Sequence, residues 1–247
     1  MRIYEGQNIR NVALVGHGHT GKTQLISGLL YTAGMVNRLG KVDEGTSVTD
    51  YDEEEIQRHF SISAALAYAE WGKAKINFID TPGYNIFLHE TEGALVAADS
   101  ALLTVHGVAG VEVQTEKTWE FCQKYHLPRA LVVTQMDRDR ASFERTWLAL
   151  REAFGRAVIP VQLPLGEEKN FRGVIDLVRM RAWTYPPDGS GKGKESDIPA
   201  EFQEAAGKAH EALVEMVAEG NDALMEEFFD KGTIPVEDLV PGLRQAI

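Results

Sequence analysis

Residues 16–23 read Gly-His-Gly-His-Thr-Gly-Lys-Thr and directly follow an apolar run at residues 11–15. Glycines, a lysine and a hydroxyl at this spacing, GxxxxGK[ST], suit the binding of a polyphosphate together with a magnesium ion. Phosphate oxygens need many donors in a small volume. Gly16, Gly18 and Gly21 let the backbone wrap closely, so that the amides of His17, His19, Thr20 and Gln24 converge with their neighbours. Lys22 then supplies a point charge to the β- and γ-phosphates and Thr23 a hydroxyl to Mg²⁺, while a helix that starts here turns its positive end toward the anion. Asp-Thr-Pro-Gly at residues 80–83 closes a second apolar run. At a strand end, Asp80 supports Mg²⁺ through water and the Gly83 N–H meets a γ-phosphate, although the same four residues also make an ordinary turn. Together the two motifs predict a nucleoside triphosphate with Mg²⁺.

The base would be read by residues 134–137, Thr-Gln-Met-Asp, at the end of a further apolar run. A carboxylate at Asp137 accepts two N–H donors from guanine. Nucleotide-binding G proteins usually carry Asn-Lys-x-Asp here, so Thr134 and Gln135 replace the Asn and the Lys. GTP is the expected nucleotide. An adenine nucleotide is the rival that Thr134 and Gln135 suggest, and a strand-ending aspartate with no base to read is the bland alternative.

Periodicity names the elements that must position these groups. Buried strands are predicted at residues 11–15, 76–79, 101–106 and 130–134, with residues 61–69 hairpinned onto 75–79 through Trp71 and Gly72. Helices are expected near 22–32, 89–98, 112–125 and 141–154. The alternation predicts an α/β fold: a P-loop domain with a mostly parallel sheet and helices on both faces. Residues 34–58 are polar and acidic with no sustained apolar period, and read as a long functional loop, a switch segment. After Pro164 the style changes. Residues 171–185 read as a β-hairpin and 186–194 as a loop, and an amphipathic helix opens at Pro199 with Phe202, Ala206, Ala209, Leu213 and Val217 on one face. The expected domains are therefore residues 1–165, the P-loop domain, and 166–247, an α+β unit.

Composition narrows the classes further. A chain of 247 residues that is 44% hydrophobic and 25% charged is an ordinary globular one, which excludes disordered and fibrous classes. No apolar run nears the roughly 18 residues of a bilayer span, and the first residues lack the apolar core of a secretory signal. Cys122 has no cysteine partner for a disulfide or a zinc site and reads as a small core residue. A cytoplasmic location with no membrane partner is expected. The net charge of −12 argues against a broad basic face for DNA or RNA, so any RNA contact is local. Residues 1–166 hold 20 acidic and 16 basic side chains and residues 167–247 hold 17 and 9, so −8 of the charge lies in the second segment. Trp119, Phe121, Trp147 and Phe154 read as core, and His89, His106, His126 and His210 lack the spacing of a zinc site.

Longer runs carry a family resemblance. RNVALVGHGHTGKT (10–23), DEGTSVTDYDEEEIQRHFSIS (43–63), NFIDTPG (77–83), GVEVQTEKTWEFCQKYHLPR (110–129) and FRGVIDLVRMRAWTY (171–185) resemble the N-terminal G domain and inserted subdomain of bacterial elongation factor G. Release factor 3 and ribosomal protection proteins share the early motifs, but the run after Pro164 is more similar to elongation factor G. The resemblance covers nearly the whole chain and implies a translational GTPase. Its γ-phosphate orders switch loops and hydrolysis to GDP releases them, and its partner is the ribosome, through large-subunit stalk proteins and ribosomal RNA. It also implies Thr23, Ser61 and Asp80 at the metal.

Departures from the family pattern set further expectations. The family's switch segment ends in RGITI, whose Thr ligates Mg²⁺; here Arg58, His59, Phe60, Ser61 and Ile62 stand in its place. Ser61 keeps a hydroxyl, and His59 in place of Gly predicts a different loop closure. After Asp-Thr-Pro-Gly the family has a water-orienting His, and this chain has Tyr84. A phenol donates or accepts a hydrogen bond without an imidazole's chemistry, and losing a positioned catalytic group slows a reaction by roughly a hundred- to ten-thousandfold. Two outcomes follow: a GTPase in which Tyr84 aligns water beside Lys22 and Gly83, or a GTP-loaded, ribosome-associated switch with little or no turnover. His17 matches a His in the family's own P-loop, and His19 stands where the family usually has Asp. The family's final G-domain strand has no counterpart before Ile247, so the chain is expected to be the front portion of a longer protein.

Overall fold

The structure is a computed structural model that describes residues 3–187 and 190–246; Asp188 and Gly189, within the expected 186–194 loop, lie outside the described residues. The chain divides into two compact units, Met1–Gln135 and Met136–Ile247.

In the first unit, β1 (Ile9–Gly16) runs through the glycine turn into α1 (Lys22–Thr32). It is followed by α2 (Glu53–Arg58), β2 (Ala65–Trp71), β3 (Ala74–Asp80), α3 (Leu88–Val96), β4 (Ser100–His106), α4 (Val113–Lys124) and β5 (Arg129–Thr134). The sheet order is β2-β3-β1-β4-β5; β3, β1, β4 and β5 are parallel, and β2 is antiparallel at the edge. The strand β1 explains why its sequence is apolar without alternation. Ala13, Leu14 and Val15 are all inaccessible to solvent because both faces of the sheet are covered. Leu14 packs with Ile26 and Leu30 of α1, while Ala13 and Val15 pack with Leu95 of α3 and Cys122 of α4. Each of the leucine, isoleucine and valine side chains contributes roughly 1.5–3 kcal/mol by leaving water. Parallel strands also bring their C-terminal ends to one edge of the sheet, and it is there that Gly16, Asp80 and Thr134 end their strands.

The segment 34–58 departs from its expected form, because its last six residues are helical. No apolar stripe drives α2. It starts on a capping box in which the Asp52 carboxylate accepts from Glu54 N at 2.8 Å and Glu55 reaches back to Asp52 N. The buried Glu55 carboxylate then accepts the N–H groups of Ile62 and Ser63 at 2.8 and 3.1 Å, which folds the segment's end against its helix. His59 ends α2 in the left-handed conformation, φ 56°, the region glycine enters most easily.

The second unit comprises α5 (Phe143–Phe154), β6 (Gln162–Pro164), β7 (Gly173–Asp176), β8 (Arg181–Thr184), β9 (Lys194–Ser196), α6 (Ala200–Glu219), α7 (Asp222–Lys231) and α8 (Val236–Ala246). Strands β6 to β9 form an antiparallel sheet in chain order, and the hairpin expected within 171–185 is β7 with β8. Pro199 caps α6, which buries Ala206, Leu213 and Val217 against Ile175, Leu177, Ile234 and Leu239. Phe202 and Ala209 flank that core, so the apolar face is the expected one. Among the described residues no helix is long and apolar enough to cross a membrane.

Candidate functional site

The phosphate turn is held by its own side chains. Gly16 has φ 138° and lies so close to β4 that a Cβ would sit 2.5 Å from the Thr104 carbonyl oxygen, so no other residue fits there. Thr20 is fully buried; its hydroxyl donates to His17 O at 2.8 Å and meets Thr104 Oγ1 at 2.6 Å, which pins the turn to the sheet. Gly21 caps α1 with φ 83°. Behind the turn Lys22 is almost wholly buried, and its Nζ donates to His17 O at 2.8 Å and Gly16 O at 3.3 Å. Burial lowers its pKa to about 8, opposed by the negative charges of Asp80, Asp50 and Glu112. An ammonium stripped of water and facing peptide carbonyls is poised to exchange them for an anion.

Across from the turn, Asp80 ends β3 at 1% exposure. Thr49 donates to its Oδ2 at 2.6 Å, and its Oδ1 has no protein partner. Burial pushes the Asp80 carboxyl up to about 6, against the hydroxyls of Thr49 and Thr23 and the charge of Lys22. Ser61 donates to Asp50 Oδ1 at 2.7 Å and lies 3.2 Å from Thr23 Oγ1. The other Asp50 oxygen is buried without a partner, and burial raises this carboxyl as well. Thr23, Ser61 and Asp80 therefore belong to one group of hard oxygen donors, together with Thr49 and Asp50. Two buried, half-satisfied carboxylates beside two hydroxyls fit a hard divalent cation such as Mg²⁺, which would supply the missing partners. Thr81 and Thr91 brace the neighbouring turn through the carbonyls of Leu14 and Pro82 at 2.6 and 2.9 Å. Gly83 thereby rests on the phosphate turn so closely that a Cβ would lie 2.6 Å from Gly18 N and from Lys22 Nζ.

Tyr84 follows immediately. Its hydroxyl lies 2.6 Å from His19 Nε2, and its ring meets Phe60 edge-on at 4.8 Å between centroids. Thr134 and Gln135 tether the phosphate turn, donating to Thr20 O and His19 O, each at 2.7 Å. The Gln24 side chain serves the switch segment: it donates to Gly40 O at 2.9 Å and accepts from Val42 N at 3.3 Å. What Gln24 offers an anion is its N–H in the first turn of α1, where helix amides have no internal acceptor. His17 Nε2 lies 3.5 Å from Glu112, the residue that caps α4. Asp137 is exposed and belongs to the second unit.

Sequence reasoning passed over Thr49, Asp50, Thr104 and Glu112, and it named Phe60 only as part of the altered switch ending, with no role. Thr49 and Asp50 sit in the polar switch segment with no local signature, and only the fold brings them to Asp80 and Ser61. Phe60 and Glu112 lay inside the runs that carried the resemblance, and nothing in their spacing singled them out.

The family model of the elongation factor Tu GTP binding domain matches residues 7–236. Elongation factor G of Gluconobacter oxydans (strain 621H) is 37% identical over 229 residues, which are 92% of this chain and 33% of that protein. The chain thus spans about a third of the length of the curated relative it matches. A crystal structure of a protein from Thermus thermophilus superposes with a TM-score of 0.88 at 34% identity, over 96% of this chain and 35% of the other.

Proposed function

Because the chain belongs to the family of the elongation factor Tu GTP binding domain, we propose that it binds GTP and GDP with Mg²⁺ and hydrolyses GTP. It does so as the G-domain portion of a ribosome-acting translation factor of the elongation factor G type. The observation that carries this reading is the buried group formed by Lys22, Asp50 and Asp80, with two carboxylate oxygens unpaired beside the hydroxyls of Thr23 and Ser61. Such a group is costly in an empty core and suits a polyanion that arrives with its cation.

In this reading the amides of residues 16–24 surround the phosphates, and Lys22 exchanges the carbonyls of Gly16 and His17 for the β- and γ-phosphate oxygens. Thr23 and Ser61 would hold Mg²⁺, with Asp80 and Asp50 supporting it. Bound Mg²⁺ supplies charge neutralisation on the phosphate oxygens as the terminal bond breaks. The Gly83 N–H senses the γ-phosphate and Asp137 reads guanine, while Thr134 and Gln135 fix the phosphate turn. Residues 166–247 are the inserted subdomain. The large-subunit stalk proteins and ribosomal RNA are the proposed partners, in the cytoplasm.

Equilibrium competition of GTP, GDP, ATP and ADP against a fluorescent guanine nucleotide, with Mg²⁺ present, tests this reading. A guanine preference of about tenfold or more, about 1.4 kcal/mol, is expected. Equal affinity for adenine nucleotides overturns the GTP assignment. Tyr84, a phenol where the family has an imidazole, favours a second reading, a GTP-loaded switch with little turnover. A Tyr84→His change then raises ribosome-stimulated hydrolysis, and an unchanged rate counts against the switch.

A further inference from the structure

His19 and Tyr84 are 65 positions apart in sequence, yet they form a hydrogen-bonded pair at the mouth of the phosphate turn. Tyr84 is fixed on three sides. Its hydroxyl lies 2.6 Å from His19 Nε2 and its ring packs edge-on against Phe60. On the third side the ring crosses Gly18, where a Cβ would come to 3.6 Å. His19 is held in turn: its backbone takes the left-handed conformation, φ 61°, and its carbonyl accepts from Gln135. The phenol ring is thus held against Gly18, and the residue that precedes it, Gly83, lies close to Lys22 Nζ. Tyr84 also keeps 36% of its surface in solvent, and its bond to His19 lies at the exposed surface.

We infer that His19 and Tyr84 act as one water-positioning unit in the hydrolysis proposed above, on which this inference rests. His19 Nε2 accepts the hydrogen bond from the phenol, and the phenol oxygen accepts one from a water aligned with the terminal phosphate. Tyr84 is the catalytic residue, since it touches the reacting water, and His19 is a positioning residue that acts through it. In the step itself the water oxygen bonds to the γ-phosphorus as the bond to the β-phosphate oxygen breaks. GDP leaves with that electron pair, the water proton passes to a phosphate oxygen, and inorganic phosphate is formed. Neither side chain changes its net protonation.

Two measurements on the whole chain test the pair. The first uses tyrosine labelled with ¹³C at Cζ, the Tyr84 resonance being assigned by its loss in Tyr84→Phe. His19→Asn keeps a residue that tolerates positive φ but is too short to reach the phenol. The Tyr84 resonance should move in this variant, and an unmoved resonance overturns the hydrogen bond and with it the inference. The second is single-turnover GTP hydrolysis with Mg²⁺. Tyr84→Phe and His19→Asn should each slow it by about tenfold, the worth of one hydrogen bond. The double variant should be no slower than either single one, because the two groups act together. GTP affinity should stay within about threefold, and His19→Gln, long enough to accept the phenol hydrogen, should recover part of the rate. Additive losses, a normal rate in His19→Asn, or no turnover by a native chain that binds GTP would each overturn the unit. Absence of guanine nucleotide binding instead overturns the proposed function, and the labelled resonance still reports on the pair.

Discussion

The two compact units bury apolar side chains in the same way and polar ones quite differently. Leu14, Ile26, Leu95 and Leu103 are inaccessible in the first, and Leu165, Ile175, Leu177, Leu213 and Leu239 in the second. Among the described residues, Thr146 is the one buried polar side chain of the second unit, whereas the first buries Lys22, Asp50, Glu55, Asp80 and Gln114 besides several hydroxyls. Taking an ion out of water costs several kcal/mol unless its partners are complete. The second unit avoids that cost. The first accepts it at the C-terminal edge of its sheet, where two carboxylate oxygens lack partners. Apolar packing accounts for nearly all the burial of the second unit, whereas in the first it leaves buried charges whose oxygens are only partly paired.

If that contrast is right, damage to the two units has different consequences. The largest effect on stability should come from Leu213→Ala in α6, which removes an inaccessible side chain from the core formed with Ile175 and Leu239. A loss of about 2–5 kcal/mol is expected in urea denaturation, with GTP affinity of the folded chain unchanged within about twofold. A large loss of affinity would break the comparison, since the apolar core of the second unit, beyond the base contact proposed for Asp137, would then hold part of the site's energy.

Lys22→Ala should do the reverse. GTP affinity falls about a hundredfold or more in the same competition assay, because the buried phosphate partner is gone. Thermal unfolding without nucleotide should be no lower than that of the native chain, since burial already holds Lys22 at a pKa of about 8. A marked drop in stability would mean that the ammonium is a structural prop for the carbonyls of Gly16 and His17.

This division of labour also decides what was legible in the sequence. Strands buried on both faces announce themselves as unbroken apolar runs, as residues 11–15 do, and Gly16 and Gly21 take positive φ in the turn the glycine spacing marked. The α6 face is legible for the same reason, because Ala206, Leu213 and Val217 recur at helical spacing. Strands β6 and β9 are three residues each, too short for any period to register. Helix α2 escaped because a capping box and the buried Glu55 carboxylate, not an apolar stripe, hold it. Long-range polar pairs leave no local trace: Thr49 with Asp80, Asp50 with Ser61, and His19 with Tyr84 meet only in the folded chain.

The smallest effect is also the sharpest test of why the first unit tolerates buried charge. The Asp80 carboxyl has its pKa raised from 3.8 to about 6, chiefly by burial. A carboxyl whose folded value lies above its unfolded one stabilises the fold fully below about 3.8, and this stabilisation is lost as pH rises through 6. In the absence of a cation the deficit at pH 7.5 is about 3 kcal/mol at most. Asp80→Asn keeps an oxygen for Thr49 and removes the charge. The variant should therefore be more stable than the native chain by about 1–3 kcal/mol at pH 7.5 without Mg²⁺, with a gain that shrinks toward pH 4. Adding Mg²⁺ and GTP should reverse the order, because only the carboxylate supports the metal. If Asp80→Asn is instead the less stable protein at pH 7.5, the carboxylate is already satisfied by Thr49 and Lys22. The buried charges of the first unit would then be part of its architecture, in the way Leu213 is part of the second.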